Sequence, residues 1–122
     1  MSDLSVDETN RLIASDKVEG TAVYNHAGER LGTIQNFMVE KRSGKVEYAV
    51  LRFGGIFGLG SDYYPLPWEM LTYDPAQGGY VVNIDKALLE KAPHYPADSS
   101  PSYNDAYGRQ VNDYWDVPYP YA

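Results

Sequence analysis

The chain has no cysteine. Disulfide staples, thiolate metal ligands and a cysteine nucleophile are therefore excluded, and the fold must rest on packing and hydrogen bonding. Histidine is nearly as scarce. His26 lies in a turn signal and His94 between prolines, neither with a partner at helical spacing, which predicts surface residues rather than a metal pair. Positive charge is also thin: 10 Lys and Arg stand against 17 Asp and Glu, a net charge of −7. The deficit runs throughout, at −4 over residues 1–96 and −3 over residues 97–122. Only Lys41, Arg42 and Lys45 cluster, in one turn, so a polyanion finds no basic face and nucleic acid is not an expected partner. No window approaches the ~18 uninterrupted apolar residues of a membrane span. Met1–Leu4 has neither a basic nor an apolar run, so no signal peptide and no membrane partner are expected, and the expected location is the cytoplasm.

What the chain does have is patterned apolar sequence, and at 122 residues the expectation is one domain with one core. Its organising stretch is Val46–Leu71. Side chains alternate from Val46 to Phe53, as on a strand. Glycines follow at 54, 55, 58 and 60, then a second strand, Tyr63–Pro67, whose two prolines place it at an edge or a strand end. Upstream, Ser15 is positioned to cap one helical turn stopped by Gly20. Thr21–Tyr24 reads as a strand, Asn25–Gly28 as a turn, and Leu31–Glu40 as a longer strand whose alternation slips near Asn36, predicting a bulge. Lys41–Gly44 is a hairpin loop with Gly44 at the left-handed position. Downstream come strands at Met70–Tyr73 and Tyr80–Ile84, then a helix, Lys86–Ala92, capped by Asp85 and stopped by Pro93. The expected core is Ile13, Val23, Leu31, Ile34, Phe37, Val39, Val50, Leu51, Leu66, Leu71, Val81 and Ile84, with Trp68 largely buried.

The order of these elements resembles the PRC-barrel domain, the β-barrel of the photosynthetic reaction-centre H subunit and of a ribosome maturation factor. The residues that carry the resemblance are Ala14–Gly20, Ala27–Ile34, Ser43–Val50, the glycine run and Pro67–Leu71. It implies an all-β fold, a small barrel of five to six strands with a short terminal helix. Residues 12–92 would form the barrel, 1–11 a flexible N-terminus and 93–122 a Tyr/Pro-rich acidic tail. The family has no shared catalytic residues, and its roles are mostly protein–protein. The RNA-associated domain and membrane helix of those two members are not expected of residues 1–11, so neither role is implied here.

The glycines lack the Gly-Lys-Ser/Thr of a phosphate loop, since Ser61-Asp62 follows Gly60, and Tyr63 stands where a dinucleotide fingerprint needs a third glycine. Asp62, Glu69 and Asp74 flank Trp68 without calcium-loop spacing. No catalytic set, metal or cofactor is expected. The tail differs from a plain disordered segment. It holds seven aromatic residues from Tyr95 to Tyr121, and Tyr103, Tyr107, Val111, Tyr114 and Trp115 fall on a helical stripe. Ser100 would cap that helix with Pro101 in its first turn, and Gly108 would weaken it. Disorder, docking on its own barrel and adhesion to a second chain all remain open for this tail. The expected function is a non-catalytic protein-interaction module that forms a homodimer, using Tyr63, Tyr64, Trp68, Tyr103, Tyr107, Tyr114 and Trp115. The rival is a small-ligand-binding or enzymatic barrel with an aromatic and acidic mouth near Tyr63, Tyr64 and Trp68.

Overall fold

In the computed structural model, residues 12–54 and 62–121 are described. The N-terminus and most of the glycine run, residues 55–61, lie outside the described residues. A single turn of helix α1 (Ser15–Val18) leads into strands β1 (Ala22–Asn25), β2 (Arg30–Val39), β3 (Val46–Phe53) and β4 (Asp62–Pro67). A 3₁₀ turn at Trp68–Met70 connects to β5 (Thr72–Asp74) and β6 (Gly79–Val82). Helix α2 (Lys86–Glu90), strand β7 (Tyr95–Pro96) and helix α3 (Asp105–Trp115) complete the order.

Among the described residues the strands form one seven-stranded sheet in the order β5-β6-β1-β2-β3-β4-β7. All neighbours are antiparallel except β1 and β6. The expected barrel is thus open, and it has one strand more than expected, because Tyr95–Pro96 pairs with Asp62–Tyr63. The two end strands span three and two residues, too little backbone to close a seam by a ladder. An aromatic chain runs along the rim instead. Tyr73 packs on Tyr80, Tyr80 on Trp68 and Trp68 on Phe37, at centroid separations of 5.2, 5.4 and 5.8 Å.

Register explains which apolar residues point inward. Ile34 pairs with Leu51, Leu51 with Tyr64, and Ala49 with Leu66, so these share the inner face. The predicted slip is present as a shift in pairing between Ile34 and Asn36. A second shift follows Met38, and it turns Val39 outward to 45% exposure, against the expected burial. Val82 is buried where Val81 was expected, because Tyr80 and Val82 share the inward phase of β6. Trp68 is only half-buried, since it sits in the 3₁₀ turn at the sheet's rim and not beneath a strand.

Three helix ends differ from the sequence reading. The N-cap position of α1 is Ala14, which makes no side-chain bond, so Ser15 is the first helical residue and not its cap. Helix α2 ends at Glu90, and Asp85 occupies its N-cap position without a side-chain bond. Tyr107, Val111, Tyr114 and Trp115 of the expected stripe lie on α3, but the helix starts later and leaves Tyr103 outside it: Asn104 Oδ1 accepts from the Tyr107 N–H at 2.9 Å. Asn104 performs the capping expected of Ser100, with an acidic Asp105 in the first turn. Gly44, at φ +77°, takes the left-handed turn position as expected.

Candidate functional site

Four consecutive residues of β3, Tyr48 to Leu51, are buried. A strand can do this only if both faces of its sheet are covered. The inner face lies against the barrel interior. On the outer face, Tyr48, Val50, Pro65 and Tyr63 are the alternates of Ala49, Leu51, Leu66 and Tyr64, and the cover is α3 with the segment leading into it. Val111, at 0% exposure, and Trp115 join the hydrophobic core from that helix. The tail is therefore docked on its own sheet.

The contact is a ladder of tyrosines. Tyr63 packs on Tyr95, Tyr95 on Tyr103 and Tyr103 on both Tyr48 and Tyr107, with ring centroids 5.1–6.2 Å apart. The Tyr95 and Tyr103 hydroxyls share a hydrogen bond of 2.5 Å. Tyr48 donates to Asn112 Oδ1 at 2.8 Å, and Asn112 donates to the Pro118 carbonyl at 3.2 Å. Burial lifts the Tyr48 and Tyr107 hydroxyls to about 12, and lifts Tyr103 further, with its bond to Tyr95 adding to the effect. Among the described residues, the buried Tyr107 hydroxyl and Trp115 Nε1 have no hydrogen-bond partner. Tyr114 reaches across to donate to the Leu88 carbonyl at 2.5 Å and ties α3 to α2.

Past α3 the chain turns back at Asp116 and runs along the helix. Tyr119 donates to Asp105 Oδ1 at 2.6 Å, and the Arg109 guanidinium lies 5.1 Å from its ring centre. The Tyr121 hydroxyl donates to Glu47 on β3, and that bond raises its pKa to about 12. Gly108 makes the arrangement possible. A Cβ there would stand 2.5 Å from the Tyr119 ring and 3.1 Å from the Tyr48 hydroxyl. The residue that the helical pattern marks as a weakness is thus the one that lets this segment approach.

Two adjoining grooves flank the segment. The first, about 190 Å³, is lined among others by Met38, Val39, Glu47, Tyr103, Gly108 and Tyr121. The second, about 300 Å³, has Val46, Pro67, Trp68, Glu69, Val117 and Pro120 in its wall. Both sit at or below the lower end of typical small-molecule sites. Both are open and include carboxylates, Glu47 in each, and the exposed Val39 and Tyr121, the latter 42% exposed, belong to the first.

The sequence-predicted residues fall into different surroundings. Tyr103 and Trp68 line the grooves. Tyr64 and Trp115 are buried, and Tyr63, Tyr107 and Tyr114 are half-buried in the packing just described. Tyr63 and Tyr64, being consecutive in β4, face opposite sides of the sheet, and Tyr64 lines a separate open cleft with Asp62, Lys86 and Glu90. There the Tyr64 ring stacks on His94 at 4.7 Å, and His94 Nε2 lies 3.4 Å from Asp62 Oδ2. Asp62, Glu69 and Asp74 do not converge: they stand in β4, the 3₁₀ turn and β5. Asp74 instead closes its own turn, and bonds from Gln77 and the Ala76 N–H hold its pKa low. Among the described residues no three His, Asp or Glu side chains are grouped to hold a metal ion. Sequence reasoning missed Glu47, Asp105, Arg109 and Asn112. They carry ordinary surface composition, and only the chain reversal at Asp116 brings partners to them.

A family model described as the PRC-barrel domain matches residues 10–89, a stretch that ends before β7 and α3. No curated protein matches. Among solved structures, the chain is similar to the crystal structure of a 16S ribosomal RNA processing protein, RimM, from Pseudomonas aeruginosa. The two share 19% identity at a TM-score of 0.42, over 69% of this chain and 50% of the other. The present chain thus spans half the length of that protein.

Proposed function

The chain belongs to the PRC-barrel domain family, and from that premise we propose that it is a non-catalytic protein-interaction module, working in the cytoplasm, that associates with itself. In this reading residues 12–92 are the barrel and residues 93–122 its cover. The observation that carries the proposal is the surface where the two meet. The grooves flanking Pro118–Tyr121 combine apolar side chains, Met38, Val46 and Trp68 among them, with the carboxylates of Glu47 and Glu69, and exposed Val39 and Tyr121 belong to the same surface. Such a mixture of apolar, aromatic and charged side chains is what a small protein interface uses. Trp68 and Tyr103 act at this surface, whereas Tyr63, Tyr64, Tyr107, Tyr114 and Trp115 act from beneath by fixing the cover. Surface acidity disfavours nucleic acid as a partner.

The rival, a ligand-binding mouth built by Tyr63, Tyr64 and Trp68, has less support, because those rings occupy different surroundings. Sedimentation velocity over a wide protein concentration range tests the proposal. The expected result is a weight-average mass rising toward twice that of the chain. A single monomeric boundary at every concentration would overturn self-association.

A further inference from the structure

The segment Pro118–Tyr121 sits in its groove as a peptide sits in a receptor. Its sequence, Pro-Tyr-Pro-Tyr, favours an extended polyproline conformation that loses little entropy on docking. Its tyrosine hydroxyls reach carboxylates on two different elements, Asp105 of α3 and Glu47 of β3. Its first carbonyl accepts from Asn112, and the Tyr119 ring fills the notch left by Gly108, under Arg109. These contacts read backbone, ring and hydroxyl, and none requires that the segment belong to the same copy of the chain.

What makes it intramolecular is a hinge of two residues, Asp116 and Val117. Asp116 adopts φ 58° and ψ 42°, the left-handed conformation, and is the only non-glycine residue with positive φ among the described residues. An aspartate tolerates that conformation, but glycine would adopt it without strain. Short hinges under strain favour exchange of the element beyond them, because the open form relieves the hinge while a second copy restores every docked contact.

We propose that the groove is a peptide-recognition site and that its occupant in trans is the Pro118–Tyr121 strap of a second copy of this chain, the two straps crossing reciprocally. This rests on the self-association reading above and names its mechanism. Reciprocal exchange closes with two-fold symmetry, so assembly stops at the dimer.

The test uses the full chain and three variants, each checked for fold by far-ultraviolet circular dichroism. The double substitution Tyr119→Ala with Tyr121→Ala weakens the strap and leaves the residues that contact it, Glu47, Asp105, Gly108 and Asn112, in place. It is expected to weaken dimerisation by about tenfold or more, the effect of losing a few contacts. The same variant should bind a fluorescent peptide of residues 116–121 more tightly than the unmodified chain does, because its own strap no longer competes. Adding Gly108→Ala should abolish that peptide binding by filling the notch. Asp116→Gly, which removes the hinge strain, should shift the unmodified dimer toward monomer. Peptide that fails to bind the double variant, or binds it regardless of Gly108→Ala, overturns the proposal. A dimer that persists unchanged in the double variant also overturns exchange while leaving self-association through another surface standing. A chain that binds the peptide yet never dimerises rejects the second copy and assigns the groove to a foreign Pro-Tyr segment.

Discussion

Replacing Val111 by alanine asks whether α3 is part of the fold or an appendage to it. Val111 has no exposed surface, and it lies in the same hydrophobic cluster as Leu51, Leu66 and Trp115. The substitution removes two methyl groups, worth about 1.6 kcal/mol at ~0.8 kcal/mol per buried carbon. The cavity left behind adds to that, for a total of about 2–3 kcal/mol. For a chain of this size that corresponds to a fall in melting temperature of roughly 6–15 °C. The exposed neighbour Gln110, replaced by alanine, is the control and should stay within about 0.5 kcal/mol.

The assay pairs two probes. The chain has two tryptophans, so in a Trp68→Phe background the fluorescence reports Trp115 on α3 alone, while far-ultraviolet circular dichroism follows the whole chain. If α3 is integral, both probes lose structure in one transition, and Val111→Ala moves both midpoints together. The reasoning fails if the fluorescence transition comes first and Val111→Ala shifts it alone. That would make α3 a separately fraying cover whose burial contributes nothing to the sheet.

Three further outcomes follow from the same contacts. Trp68→Ala should destabilise by about 2–4 kcal/mol, as a half-buried indole packed on Phe37 and Tyr80, and urea unfolding measures it. Tyr114→Phe should cost about 0.5–1.5 kcal/mol by losing the bond to the Leu88 carbonyl, with hydrogen exchange speeding up in α2. In alkali, the Tyr48 hydroxyl is held near 12 by burial, above its ordinary value of 10.0. Because the folded value is the raised one, its contribution is fully present below pH 10 and is lost as pH rises through about 12. The urea midpoint should therefore fall across that window, and Tyr48→Phe should reduce the fall.

The β-rich body was legible in the sequence because its signals are local. Alternation from Val46 to Phe53, the slip at Asn36 and the left-handed glycine at Gly44 each act through nearest neighbours on one strand or turn. Phase was harder to read. In Tyr80-Val81-Val82 either valine fits an inward position by composition, and only pairing with Val23 and Asn25 of β1 selects Val82. Val39 was lost for the same reason, through a second register shift that its own sequence does not mark.

Sequence by itself determined that residues 103–115 are helix-compatible and rich in aromatic area, since spacing and side-chain type are properties of the chain. Tertiary structure alone decided where that area goes. Tyr48 through Leu51 demand cover on both faces of β3, and the tail is the segment that supplies it on the outside. The grooves, the Tyr121–Glu47 and Tyr119–Asp105 bonds and the notch at Gly108 all follow from that docking and from the turn at Asp116. Their partners lie as many as 74 positions apart. Contacts over that separation are set by how faces pack, and a reading along the chain has no term for them.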